Sequence, residues 1–179
     1  MRLKKQIAIL ALGAGFAACT PQPATNLIED NMEFAQQQLR FAFDEIDYAI
    51  VNESPESRAK REKNGWGELT NPRNSEPDGT LNLVPSKDWT SGFFPGELWF
   101  LYEYTQNNFW KKKAQQHTDI LEKEKMNGST HDMGFKVYCS FGNGYRLTQD
   151  EHYKEVLLQS ARTLATRFKP AAGIIRSWD

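Results

Sequence analysis

Two stretches of this chain can be written one above the other: GFFPGELWFLYEYTQNNFWKKK, residues 92–113, and GFKVYCSFGNGYRLTQDEHYKEV, residues 134–156. Gly92-Phe93 matches Gly134-Phe135, Tyr102 matches Tyr145, Thr105 matches Thr148 and Trp110 matches Tyr153, at an offset of 42 to 43 residues. Each unit reads as a helix, a Thr-Gln turn followed by Asn or Asp, and a second amphipathic helix. The second helices are expected from about Asn108 to Met126 and from about Asp150 to Phe168. A repeat of this length with two helices per unit describes an array of helical hairpins, in which no unit buries its apolar face alone. The first helices are rich in small and aromatic residues and are expected inside. The second are charged on one face and are expected outside. The loops entering the inner helices then lie at one end of the array. They carry Asp88-Trp89, His131-Asp132 and Trp178-Asp179.

The N-terminus is of a different kind. Arg2, Lys4 and Lys5 precede an apolar run from Ile7 to Ala18, too short to span a bilayer comfortably. Residues 1–18 read as an export signal. The small residues before Cys19 resemble the lipobox of bacterial lipoproteins, with Phe16 where an aliphatic residue is usual; a plain signal peptide cleaved near Ala18 is the alternative. On the lipoprotein reading Cys19 carries lipid and anchors the chain to a membrane. Cys139, the other of the two cysteines, is then a small buried hydrophobe with no disulfide partner. No acidic cluster follows Cys19, which favours the periplasmic side over the cell surface. The signal holds three of the 22 basic residues and none of the 23 acidic ones, so the mature chain is acidic. It has no basic stripe, which argues against nucleic acid as a partner.

Residues 19–25 form a tether, and residues 26–179 form one domain. Ile28, Met32, Ala35, Leu39, Ala42, Ile46 and Ile50 keep helical spacing, and Thr25 or Asn26 is placed to cap that helix. Residues 52–91 lose all periodicity and contain four prolines; they read as a long functional or partly disordered loop.

Asp132 has two readings from its position alone. It is placed to accept backbone N–H groups as the N-cap of the run MGFKVY, or to do chemistry beside His131. A cap explains one acid before one helix but not the repeated aromatic neighbour. Trp89 and Trp178 fit either a core or a sugar-stacking surface. Three histidines and no ligand spacing give no basis for a metal site. No cofactor motif is present: GNG at 142–144 lies inside a helical unit and lacks the Lys-Ser/Thr of a phosphate loop.

The motifs DWTSGFFPGELWFLYEYT, HDMGF, GNGYRLT and GIIRSWD, in this order and spacing, resemble glycoside hydrolase family 88, the unsaturated glucuronyl hydrolases, from about Glu29 onward. The resemblance implies an all-α fold, an (α/α)6 barrel of helical hairpins, of which this chain is the N-terminal, incomplete part. It implies a substrate with a 4,5-unsaturated uronic acid at the non-reducing end, left by a polysaccharide lyase, of glycosaminoglycan type. In that family an acid protonates the C4=C5 enol ether, water adds at C5, and the hemiketal opens to release the next sugar. This differs from two-carboxylate displacement but still needs carboxylates in different protonation states. By the resemblance, Asp132 is one catalytic aspartate, Trp89 and Trp178 are substrate platforms, and His131 bonds substrate or orients Asp132.

The second aspartate of the family follows the SWD segment by about a dozen residues, beyond Asp179. The chain therefore reads as a fragment, inactive by itself, from a truncated gene or an incomplete gene prediction. An open arc of hairpins is also expected to expose an apolar flank. Unsaturated rhamnogalacturonyl hydrolases (family 105) share the fold and chemistry, but WTSGFFPGELW and GNGYRLT favour family 88. A non-catalytic glycan-binding lipoprotein built from helical repeats is the rival of a different class.

Overall fold

A computed structural model describes residues 24–177. The expected repeat is present as two helical hairpins. In the first, α3 (Phe93–Thr105) is followed by α4 (Asn108–Asp119) and a 3-10 turn, Glu122–Met126. In the second, a π-helical stretch, Gly134–Gly142, runs directly into α5 (Asn143–Thr148), which is followed by α6 (Glu151–Ala165).

The two turns are copies of each other for a chemical reason. Gln106 and Gln149 both take left-handed backbone angles, φ 54° and 56°, and close the first helix. Thr105 and Thr148 each return a hydroxyl to the preceding turn and accept the N–H of Asn107 and Asp150. Asn107 and Asp150 then cap the second helix, accepting from the N–H of Phe109 and His152 at 2.9 Å each. The matched aromatics have matched jobs. Trp110 and Tyr153 are both buried, Trp110 donating to Gln36 (3.2 Å) and Tyr153 to Asp119 (2.9 Å). Burial and the Asp119 carboxylate push the Tyr153 phenol well above its usual range.

The long α1 (Ala24–Val51) lies across the first hairpin. Its helical stripe is used unevenly. Ile46 is buried and Met32, Ala35, Leu39 and Ala42 pack against the core, while Ile28 and Ile50 at the ends stay exposed. The helix begins at Ala24, so Thr25 and Asn26, the residues expected to cap it, lie inside its first turn.

The region read as a structureless loop is structured. It holds α2 (Pro55–Lys63) and an antiparallel hairpin of β1 (Leu69–Ser75) and β2 (Leu81–Pro85). Helix α2 escaped notice because PESRAKREK has no apolar stripe. Local chemistry holds it instead: the Ser54 hydroxyl accepts from Ser57 N–H at 3.1 Å, Pro55 occupies the first turn, and Glu53 pairs with Arg61 at 2.8 Å. The hairpin was hidden by register breaks between Leu69 and Asn71 and between Pro72 and Asn74, which destroy the period of two. A second, two-residue pairing joins β3 (Phe168–Lys169) to β4 (Ile174–Ile175).

Helix α3 crosses the π-helical stretch at Gly92 and Gly96. A Cβ at Gly92 would fall inside contact distance of the Lys136 and Phe135 carbonyl oxygens, and one at Gly96 would lie 2.9 Å from the Cys139 oxygen. The obstacle is backbone, which cannot rotate away. Gly92→Ala is expected to destabilise the protein by about 3 kcal/mol or more, at the upper end of overpacking costs. A urea midpoint equal to wild type would refute the close crossing. Apolar groups are exposed on the second hairpin, where Tyr138 is 72 % and Leu158 48 % exposed.

His117 is a core histidine. Its ring stacks on Phe43 (5.8 Å) and meets the edge of Phe94 (4.9 Å). Nδ1 lies 2.8 Å from Asn71 Oδ1, and the Asn71 amide donates to the Ser91 carbonyl, so the network assigns the proton to Nδ1. Burial, helped by Lys113 and opposed by Asp47, lowers its pKa from 6.5 to about 4. The unfolded chain therefore binds a proton that the fold rejects across this window. Stability is fully present above pH 6.5 and falls by about 3 kcal/mol on acidification to pH 4. Urea midpoints of wild type and His117→Gln, compared at pH 7 and pH 4.5, should show a flatter profile in the variant. Parallel profiles would reject the assignment.

Candidate active site

Two loops meet at one end of the hairpins. The first leaves β2 at Pro85. Asp88 organises its turn: Oδ1 accepts the Thr90 N–H (2.8 Å) and hydroxyl (2.6 Å), and Oδ2 lies 3.3 Å from Arg73. That carboxylate is occupied in holding the loop. Trp89 beside it is 42 % exposed, with its ring edge-to-face against Phe93 (5.9 Å) and Phe135 (5.7 Å). Phe93 and Phe135 are also partly exposed and touch each other at 5.7 Å, so three rings form one aromatic surface open to solvent.

The second loop precedes the π-helical stretch. Here Thr130 does the work expected of Asp132. Its hydroxyl oxygen accepts the Asp132 N–H at 3.0 Å, and the hydroxyl donates to Asp132 Oδ2 at 3.3 Å. Asp132 Oδ1 lies 3.3 Å from His131 Nε2. Among the described hydrogen bonds, the Asp132 carboxylate takes no backbone N–H of the helix that follows, so the capping role is not realised. The carboxylate faces a hydroxyl and an imidazole and keeps 15 % of its side chain open to solvent. One turn along, Phe135 carries the contact with Trp89. An acid with a histidine beside it and an exposed aromatic face next to it can bind a sugar ring and exchange a proton with it.

Beneath both loops lies Lys136, a residue the sequence did not single out. Its side chain is fully buried, its ammonium donates to the Lys87 carbonyl (3.2 Å), and Glu124 lies 3.5 Å away. Burial pushes the ammonium below its ordinary range; Glu124, then Asp132 and Asp88, pull the other way. Glu124 in turn accepts from the Ser86 hydroxyl (2.6 Å) and the Asn127 amide (2.8 Å). The two loops are thus joined through one buried ion pair. Burial of Lys136 could not be read from its spacing, because a lysine on an amphipathic helix is normally solvated.

The third loop is described only as far as Ser177. The guanidinium of Arg167 donates to the Gly128 (2.7 Å), Arg176 (2.8 Å) and Ser177 (3.1 Å) carbonyls, which pins the chain just before Trp178 to the His131-Asp132 loop. Trp178 and Asp179, like Cys19 and the residues 1–18 that were read as an export signal, lie outside the described residues. Among the described residues no helix is long and apolar enough to cross a membrane, and no cluster of His, Cys, Asp and Glu could hold a metal.

No protein-family model matches the chain. Individual proteins do. An unsaturated glucuronyl hydrolase of Formosa agariphila is 56% identical over 100 residues, 55% of this chain and 25% of that protein. An unsaturated chondroitin disaccharide hydrolase of Streptococcus pneumoniae is 30% identical over 106 residues, 56% of this chain and 26% of that protein. The chain is homologous to the unsaturated glucuronyl hydrolases. The crystal structure of an unsaturated glucuronyl hydrolase specific for heparin superposes with a TM-score of 0.60 at 36% identity, covering 82% of this chain and 36% of that one. Unsaturated glucuronyl hydrolases are (α/α)6 barrels, and the two hairpins described above are part of that architecture. The chain spans about a quarter of the length of these curated relatives.

Proposed function

We propose that this chain is the part of an unsaturated glucuronyl hydrolase that holds one catalytic aspartate, Asp132, with His131 beside it and Trp89 as a sugar platform. The substrate is an oligosaccharide of glycosaminoglycan type with a 4,5-unsaturated uronic acid at its non-reducing end. Asp132 handles the proton that adds to C4 of the enol ether. Water forms the new bond at C5, and the hemiketal opens and expels the neighbouring sugar with its own oxygen. The observation that supports this most is the loop geometry. The Asp132 carboxylate is not used to cap its helix, sits against His131, and is one helical turn from Phe135, which touches Trp89.

The test is a chimera in which residues 24–179 replace the matching part of the Formosa agariphila relative. The chimera is expected to abolish the near-ultraviolet absorbance of an unsaturated chondroitin disaccharide as the double bond is hydrated. The 179-residue polypeptide alone, whose match covers a quarter of that relative, is the negative control and should leave that absorbance unchanged. A folded chimera with no turnover of any unsaturated glucuronyl disaccharide would reject the reading.

A further inference from the structure

A recess of about 540 Å3 lies beside the aromatic surface, between α2 and the β1–β2 hairpin. Its size is that of an ordinary small-ligand site. The side chains that give it character are Lys60, Arg61, Trp66, Arg73, Lys87 and Asp88. Four are cations and one is an acid. Arg61 is matched by Glu53 at 2.8 Å, and Arg73 by Asp88 at 3.3 Å. Lys60 and Lys87 are not ion-paired among the described residues. The Lys60 ammonium lies 5.9 Å from the Trp66 ring centroid, and that of Lys87 donates to the Gly65 carbonyl at 2.9 Å. Trp66 is 39 % exposed, and Leu83, Val84 and Pro85 make the floor. The recess is continuous with the site. Asp88 lines it and Trp89 is the next residue. The Arg73 guanidinium bridges the two, paired with Asp88 and 5.9 Å from the Trp89 ring.

We propose that this recess is a second sugar subsite, in which Trp66 stacks on a ring and Lys60 and Lys87 take the sulfate or carboxylate of an anionic sugar adjoining the one at Asp132. The inference rests on the functional reading above for the identity of the ligand. An exposed indole face suits a pyranose ring. Two ammonium groups without carboxylate partners suit an anion, and the apolar floor excludes water from beneath it.

The full chain should be titrated with a saturated heparin-derived tetrasaccharide, a hyaluronan-derived tetrasaccharide and neutral maltotetraose, following tryptophan fluorescence. Binding of either anionic probe, weakened by salt and absent for the neutral one, is expected. The probe that binds more tightly identifies sulfate or carboxylate as the anion read. Lys60→Gln combined with Lys87→Gln should weaken binding by about tenfold or more, and Trp66→Ala should do the same. These are surface positions, and unchanged melting of the variants serves as the control for folding. Anionic binding that survives both variants, or no anionic binding by the wild-type chain, overturns the proposal. Turnover by the chimera is a separate readout. Hydrolysis without an effect of these variants on binding sinks the subsite and leaves the enzyme reading, and the reverse pattern does the opposite.

Discussion

Asp132→Asn in the chimera is expected to lower kcat by about three orders of magnitude while KM changes little. Positioned proton transfer is worth about 10²- to 10⁴-fold, and an amide keeps the shape and the contacts to His131 and Thr130 but cannot carry the proton. Binding should survive because Trp89, Phe93 and Phe135 are untouched. The split between kcat and KM decides the role. A large rise in KM with kcat unchanged would make Asp132 a binding group. Activity equal to the parent would remove it from the mechanism.

Lys136→Met is expected to cost about 3–5 kcal/mol, the usual penalty for removing one partner of a buried ion pair. The methionine fills the space, so the loss is electrostatic. It leaves the Glu124 carboxylate, 5 % exposed, with Ser86 and Asn127 as its donors among the described residues. Lys136→Met with Glu124→Gln should recover most of the loss, because the double variant buries no unmatched charge. Urea midpoints of the four proteins give the coupling energy directly. Lys136→Met melting with wild type would show that the pair does not hold the loops. The same substitution should blunt activity in the chimera, since Lys136 joins the Lys87 carbonyl to the helix that Asp132 precedes.

The hairpins were legible because their signals are local. Thr-Gln-Asn and Thr-Gln-Asp each encode a left-handed stop and a new N-cap within three residues, and Trp110 and Tyr153 recur at one offset because each fills the same place in its unit. Helix α2 and the β hairpin were not legible. A helix made by caps and the two ion pairs of Glu53 carries no apolar period, and a strand with two bulges and Pro72 carries no alternation. At the site, Asp132, His131 and Trp89 were visible by type and motif. Lys136, Glu124 and Arg167 were not, because each acts across loops 38 to 49 residues apart.

By itself the sequence determined the repeat, the helical class, the end of the array that carries acid and aromatic residues, and the kinship with unsaturated glucuronyl hydrolases. These depend on residue type and spacing along the chain. Only the tertiary structure decided what the Asp132 carboxylate faces. Thr130 took the backbone N–H next to it, and the helix crossing at Gly92 brought Phe135 against Trp89. The reason is physical. A cap and a catalytic acid use the same residue in the same place before a helix, and they differ only in where the two oxygens point and in what the fold brings beside them.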